Sequence, residues 1–422
     1  MAELTPSPLA SGKELPVQAA RAAIAAALRP ITATEREPLT TAVGRVLAAD
    51  VISPIDVPAH DNSAMDGYAL HGADLAAAGP TSLQTLAETV YAGTPYAGTV
   101  APGRCIRIMT GAVMPAGLDT VVPHELVTVD GDHIGIRAGI LKAGENRRKQ
   151  GEDLKRGRPA LTAGRLLRPA DIGLLASLGF AEASVFRRLR VALFSTGDEV
   201  FAPGQPLPPG GIYDSNRFAL GAALQRLDVE VIDLGLVKDD RAALTAVLQR
   251  AVAEADVVVT SGGVSMGDAD YTRDVLATLG DVAFWKVAMR PGRPFAFGPL
   301  RHAGREAMLF ALPGNPVAAL VTFYAFARDA LRMLGGARPE PVAALQVKSA
   351  VPIRKRPGRT EFQRGIVEAA PDGGWQVRPT GSQGAGILRS LSEANALVVL
   401  QHAQGSVAAG EPVEVWLFDG LV

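Results

Sequence analysis

The stretch "TSGGVSMGDADY", residues 260–271, sets Ser261, Gly262, Gly263 and Ser265 directly after the apolar run "DVVV". Glycine lets backbone N–H groups approach an anion, and hydroxyls add further donors, so the loop has the composition of a phosphate cradle. It lacks the lysine of the G-x-x-x-x-G-K-[ST] loop that holds nucleoside triphosphates. Two more stretches have the same composition, namely "STGDE" (195–199), with Thr196 and Gly197, and "LPGNP" (312–316), with Pro313, Gly314, Asn315 and Pro316. Asn315 reads as a helix N-cap and Pro316 as the first helical residue.

Cations come from "WKVAMRPGRPFAFG", which holds Lys286, Arg290 and Arg293 around a turn fixed by Pro291, Gly292 and Pro294. A strand over 284–288 points Lys286 and Arg290 the same way by period two. Arginine grips planar or tetrahedral oxygens through several donors, so the stretch reads as an oxyanion site. Solvated surface cations are the plainer alternative. The acids Glu199, Asp239, Asp240, Asp268 and Asp270 also allow two readings. They cap the helices starting near 241 and 271, or they hold Mg²⁺, which takes a few carboxylates with substrate phosphate and water. "HDNSAMDGYAL" (60–70) is polar and reads as a functional loop with too little apolar content for a strand. No His/Cys spacing suits a metal, and no Ser-His-Asp pattern is present.

Elements that would position these residues follow from periodicity. Over 188–335, strands such as "RVALFSTG", "VEVIDLG" and "DVVVT" alternate with helices such as "SNRFALGAALQRL" and "DDRAALTAVLQRAVAEA". That alternation means βαβ crossovers and a doubly wound, mostly parallel sheet, whose ligands bind beyond the carboxyl ends of the strands. A long helix over 317–334 closes the unit. The domain reading is a discontinuous helical domain (15–45 and 146–180), a β-rich insert (46–145), the α/β domain (181–337) and a C-terminal all-β domain without a convincing helix (338–422).

The 422 residues carry a net charge of −1, which leaves no global basic field for nucleic acid or an anionic membrane. Cys105 is the one cysteine, so an internal disulfide is excluded and a reducing cytoplasm is expected. No apolar run approaches a membrane span, and the first 14 residues show no signal-peptide core.

Taken in order, "DVPAHDNSAMDGYA", "RIMTGAVMP", "RRKQGEDL", "VALFSTGDE", "IYDSNR", "DVVVTSGGVSMGDADYT", "FWKVAMRPGRPFAFG", "LPGNPVAALVTFY" and "GRTEFQRG" closely resemble the MoeA family of molybdopterin molybdenumtransferases, which includes the gephyrin E domain. The resemblance spans about residues 15–420. It implies four domains ending in a β-barrel, and a homodimer whose cleft is closed across subunits. It also implies conversion of adenylylated molybdopterin and molybdate, with Mg²⁺, into molybdenum cofactor and AMP. Family activity positions fall on Asp66, Thr110, Asp153, Glu199, Asp239, Asp270, Lys286, Pro313 and Pro316. Asp239 and Asp270 are the expected metal ligands, and Asn216 in "IYDSNR" is a substrate contact. Arg359 and Ser382 are further substrate contacts, and they form the fallback oxyanion site. Many members read "KPGKP" and "GNPVS" where this chain has Arg290, Arg293 and Ala318. Contacts with the adenylyltransferase and with molybdoenzymes are also implied. Two rivals stay open: an adenylyltransferase that makes the activated pterin, and a non-catalytic gephyrin-like interaction module.

Overall fold

The structure, a computed structural model, describes residues 14–263 and 271–420. Ser265, Met266, Asp268 and Asp270 therefore lie outside the described residues. The chain divides into two compact units. One comprises the described residues of Met1–Ala48, Gly164–Arg168 and Glu182–Val422, and the other comprises Ala49–Ala163 and Pro169–Ala181. Among the described residues no helix is long and apolar enough to cross a membrane.

The α/β part of the larger unit is built on one six-stranded sheet. Its elements, in chain order, are α1 (Val17–Ala27), β1 (Arg190–Thr196), α2 (Ser215–Gln225), β2 (Glu230–Val237), α3 (Arg241–Glu254), β3 (Val257–Ser261), α4 (Tyr271–Leu279), β4 (Ala283–Lys286), β5 (Pro294–His302), β6 (Arg305–Leu312) and α5 (Pro316–Thr322). The strand order is β2-β1-β3-β6-β5-β4. The first four strands run parallel, and β5 runs antiparallel to both its neighbours. Alternation along each strand sends residues to two cores. Val191, Leu193, Val257 and Val259 pack with α1, α2 and α5, whereas Ala192, Phe194 and Val258 pack with α3 and α4. All five residues of β3 are buried, as a strand covered on both faces requires.

The helix expected over 317–334 is present but not uniform. α5 passes into a π-helical stretch, Phe323–Ala327, and resumes as Arg328–Leu334. The C-terminal strands close into a barrel, with Thr360–Ala369, Trp375–Pro379, Ala344–Ser349, Pro412–Leu417 and Ala396–Leu400 each pairing with the next and the last with the first. A six-residue helix, Leu388–Glu393, corrects the expectation that this part holds none.

The smaller unit carries a six-stranded sheet in the order Thr120–Pro123, Gly67–Leu70, Arg104–Ile108, Thr81–Val90, His133–Ile136, Val127–Asp130. Here the sequence reading of 60–70 as a loop fails in part: Gly67–Leu70 is an inner strand of that sheet. Gly67 is the reason its polar look misleads. A Cβ there would meet the Val122 carbonyl oxygen at 2.0 Å, so the position requires the residue that looks least like a strand former.

Candidate functional site

Parallel pairing sets the three glycine loops side by side. Ser195 lies opposite Ser261, and Ser261 opposite Leu312, so the chain leaves β1, β3 and β6 at one level. The cleft beyond these ends has a volume of about 1410 Å³. It is lined by Thr196, Gly197 and Glu199 after β1, by Ser261, Gly262 and Gly263 after β3, and by Pro313, Gly314, Asn315 and Pro316 after β6. Asn216, Asp239, Lys286, Arg290 and Arg293 line the same cleft. The helices α2 and α5 both begin here, which adds partial positive charge.

Gly262 has φ +96°, and its N–H is already spent on the Leu312 carbonyl at 3.1 Å. A Cβ on it would meet the Thr196 carbonyl oxygen at 2.6 Å and Oγ1 at 2.9 Å. Its part is therefore close passage over Thr196 and not donation to a ligand. Thr196 lines the cleft, and among the described residues its buried Oγ1 has no hydrogen-bond partner, which leaves one hydroxyl unused beneath the loop. Asn216 Nδ2 donates to Ser261 Oγ at 2.7 Å and to the Gly314 carbonyl at 2.6 Å. Ser261 Oγ in turn donates to the Pro313 carbonyl at 3.2 Å. One amide thus clips two of the loops to the start of α2.

Sequence reasoning missed the residue beneath that clip. Asp214 is 3% exposed and accepts from Ser195 Oγ at 3.0 Å, from Arg217 N at 3.1 Å and from Arg217 Nε at 2.9 Å. It is the N-cap of α2, and the "DSN" start of that helix was the available signal. Asp240 caps α3 through Ala243 N at 2.9 Å, which settles the cap between the two neighbouring acids in its favour. Asn315 occupies the N-cap position of α5 but makes no side-chain cap bond.

The cationic stretch differs from expectation. β4 ends at Lys286, and Met289–Arg290 pairs with Thr360–Glu361 of the barrel, so no single strand carries both cations. Lys286 and Arg290 nevertheless both reach the cleft. Arg293 forms an ion pair with Glu14, which also takes Arg359 Nε and Nη2 at 3.0 Å each. Neither Arg359 nor Ser382 lines the cleft. Ser382 borders a cavity of about 350 Å³ with Thr380 and Arg389. The adjoining Gln383, Gly384, Ala385 and Gly386 do line the cleft, and buried Arg364 holds them by donating to the carbonyls of Ser382 (3.3 Å), Gln383 (3.3 Å) and Gly384 (2.9 Å).

Asp66, Thr110 and Asp153 belong to the smaller unit. Asp66 Oδ1 accepts from Thr110 N and from Thr110 Oγ1, both at 2.6 Å. These two donors hold the carboxyl below its ordinary value of 3.8. Asp153 is exposed, and its N–H donates to the Val57 carbonyl at 3.1 Å. With a folded-state pKa below the unfolded one, Asp66 contributes stability above the unfolded pKa and loses it as pH falls through the folded value. Thr110→Val should raise the Asp66 pKa towards 3.8, read from a carboxyl-carbon NMR titration. An unmoved titration would show that the hydroxyl contributes nothing.

Comparison with known proteins accords with this geometry. Residues 15–179 match the family model "MoeA N-terminal region (domain I and II)", residues 192–333 "Probable molybdopterin binding domain", and residues 346–418 "MoeA C-terminal region (domain IV)". A molybdopterin molybdenumtransferase of Haemophilus influenzae is 41% identical over 395 residues, 93% of this chain and 95% of the relative. The chain belongs to the MoeA family. Molybdopterin molybdenumtransferase 2 of Mycobacterium tuberculosis is 39% identical over 402 residues, 92% of this chain and 95% of that one. A crystal structure of the molybdopterin biosynthesis MoeA protein from Pyrococcus horikoshii OT3 superposes with a TM-score of 0.82 at 29% identity, covering 96% of this chain and 100% of that one. The MoeA resemblance in the sequence is thus carried along nearly the whole length, barrel included.

Proposed function

We propose that this chain inserts molybdenum into molybdopterin, using adenylylated molybdopterin and molybdate with Mg²⁺ and releasing molybdenum cofactor and AMP. One observation carries the reading: the three glycine loops, two helix N-termini and the cations Lys286 and Arg290 line a single cleft. Phosphates of the adenylate suit the loops, because close backbone approach and hydroxyls replace a lysine there. Molybdate, as the oxyanion substrate, suits the cationic side. Fixed positive groups stabilise charge that builds up as oxygen leaves the metal and adenylate leaves the pterin.

The donor set also suits Mg²⁺. Among the described residues there is no cluster of three or more His, Cys, Asp or Glu, but Glu199 and Asp239 both line the cleft. Mg²⁺ takes one or two carboxylates and completes its shell with substrate phosphate and water, so two acids suffice. Bound there, it would neutralise charge on the departing phosphate. Glu199 is held close to the phosphate loop: a Cβ at Gly197 would meet its Oε2 at 2.9 Å.

The protein would act as a homodimer in the cytoplasm, in contact with the adenylyltransferase that supplies the pterin and with the molybdoenzymes that receive the cofactor. Incubating the purified protein with adenylylated molybdopterin and molybdate, with and without Mg²⁺, should yield AMP only when Mg²⁺ is present. Pyrophosphate released from ATP and molybdopterin, with no AMP, would make the protein an adenylyltransferase instead. Sedimentation showing an active monomer would remove the dimer.

A further inference from the structure

Glu14 stands where a ligand anion would be expected. Its carboxylate is shared by Arg293 and, through both Nε and Nη2 at 3.0 Å, by Arg359. Two arginines converging on two oxygens make the arrangement a protein uses to grip a free oxyanion. The carboxylate is mostly covered, with its side chain 18% exposed, while the arginines are 42% and 45% exposed. Its place is fixed by the backbone. Leu15 N–H donates to the Lys286 carbonyl and Ala288 N–H to the Leu15 carbonyl, both at 2.8 Å, so this short segment runs beside the strand end that carries Lys286. Burial pushes the carboxyl up, but the hydrogen bonds and charges of Arg359 and Arg293 together outweigh it and hold it below its ordinary range.

Arg293 lines the cleft, and among the described residues its buried Nε has no hydrogen-bond partner, so its donors are only partly used by Glu14. We propose that Glu14 is a specificity-determining residue: a built-in counter-anion, held from outside the cleft by Arg359, that competes with the oxyanion substrate for Arg293 and sets how much molybdate the cleft needs. The inference rests on the proposed molybdenum insertion. Lys286 and Arg290 then provide the standing positive charge of the cleft. The Arg293 donors that Glu14 holds become available to an oxyanion as Glu14 yields them. A dianion attracts an arginine more strongly than a carboxylate does at equal distance, so molybdate is able to compete with Glu14 for Arg293.

Titration calorimetry with sodium molybdate, on wild-type protein and on Glu14→Gln, tests this directly. The glutamine keeps the size and one acceptor but removes the charge. Molybdate affinity should rise about three- to tenfold, the effect expected of one unit charge near a screened surface, and the gain should shrink at high salt. Glu14→Asp should stay close to wild type. Weaker or equal molybdate binding by Glu14→Gln, with unchanged thermal stability, overturns the inference and leaves Glu14 as an arginine positioner. No molybdate binding by either protein, with no AMP release, overturns the insertion reading itself. AMP release with equal molybdate binding overturns the inference alone.

Discussion

Gly262→Ala should lower AMP release about a hundredfold, because a reacting group displaced by roughly an ångström forfeits rate of that order. The added Cβ would lie 2.6 Å from the Thr196 carbonyl oxygen and 2.9 Å from its Oγ1. The first of these is backbone of the neighbouring strand end and has no rotamer to give. The loop must therefore lift off Thr196, and the hydrogen bond from Gly262 N–H to the Leu312 carbonyl at 3.1 Å goes with it. At φ +96° the alanine adds backbone strain of roughly 1–3 kcal/mol. Gly314, in the next loop, supplies the contrast: a Cβ there would meet nothing nearer than Gly262 Cα at 3.8 Å. Gly314→Ala should therefore lose far less turnover. Steady-state AMP release beside thermal unfolding separates the effects. A Gly262→Ala protein with wild-type turnover would mean that the close passage over Thr196 is not needed.

The same loops explain what sequence alone could convey. A glycine turn after a buried strand and before a helix is a local pattern, and local patterns survive in one dimension. For that reason the edges of β1, β3 and β6 were legible in the chain itself. Long-range pairings were not. Glu14 meets Arg293 across 279 residues, and nothing near either residue announces it. Lys286 and Arg290 show the intermediate case. Their presence at the cleft was readable from charge and turn residues, whereas the strand break between them depends on a barrel strand far downstream. The stretch 60–70 reads as a loop because what Gly67 answers to is a neighbour's carbonyl, not its own propensity. Leu388–Glu393 was missed because six residues with no side-chain cap leave little periodicity to detect.

Arg364→Lys should be nearly as damaging as loss of the glycine, for a reason of buried charge. Arg364 has no exposed surface, and among the described residues no carboxylate pairs with it. Burial, helped by Arg290, pushes its guanidinium down to about 10, so it stays charged at neutral pH. Its donors are spread over Ser390 Oγ at 3.0 Å and over three carbonyls of the 382–384 loop. Gln383 locks the same place from its other side, accepting from Arg364 N at 2.8 Å and donating to the Arg364 carbonyl at 3.1 Å. The loop is also tied to α5, where Val317 N–H donates to the Ala385 carbonyl at 3.0 Å. A lysine carries its donors at one point and cannot reach acceptors on opposite sides of the loop. These contacts are part-buried, and a carbonyl left there without a partner costs up to about 1–3 kcal/mol, so stability should fall by at most an amount of that order. Because Gln383 and Gly384–Gly386 line the cleft, AMP release should fall roughly ten- to hundredfold, measured well below the lowered melting temperature. A lysine variant that melts earlier yet keeps wild-type kcat and KM would confine Arg364 to holding the barrel, and would take the 383–386 loop out of the site.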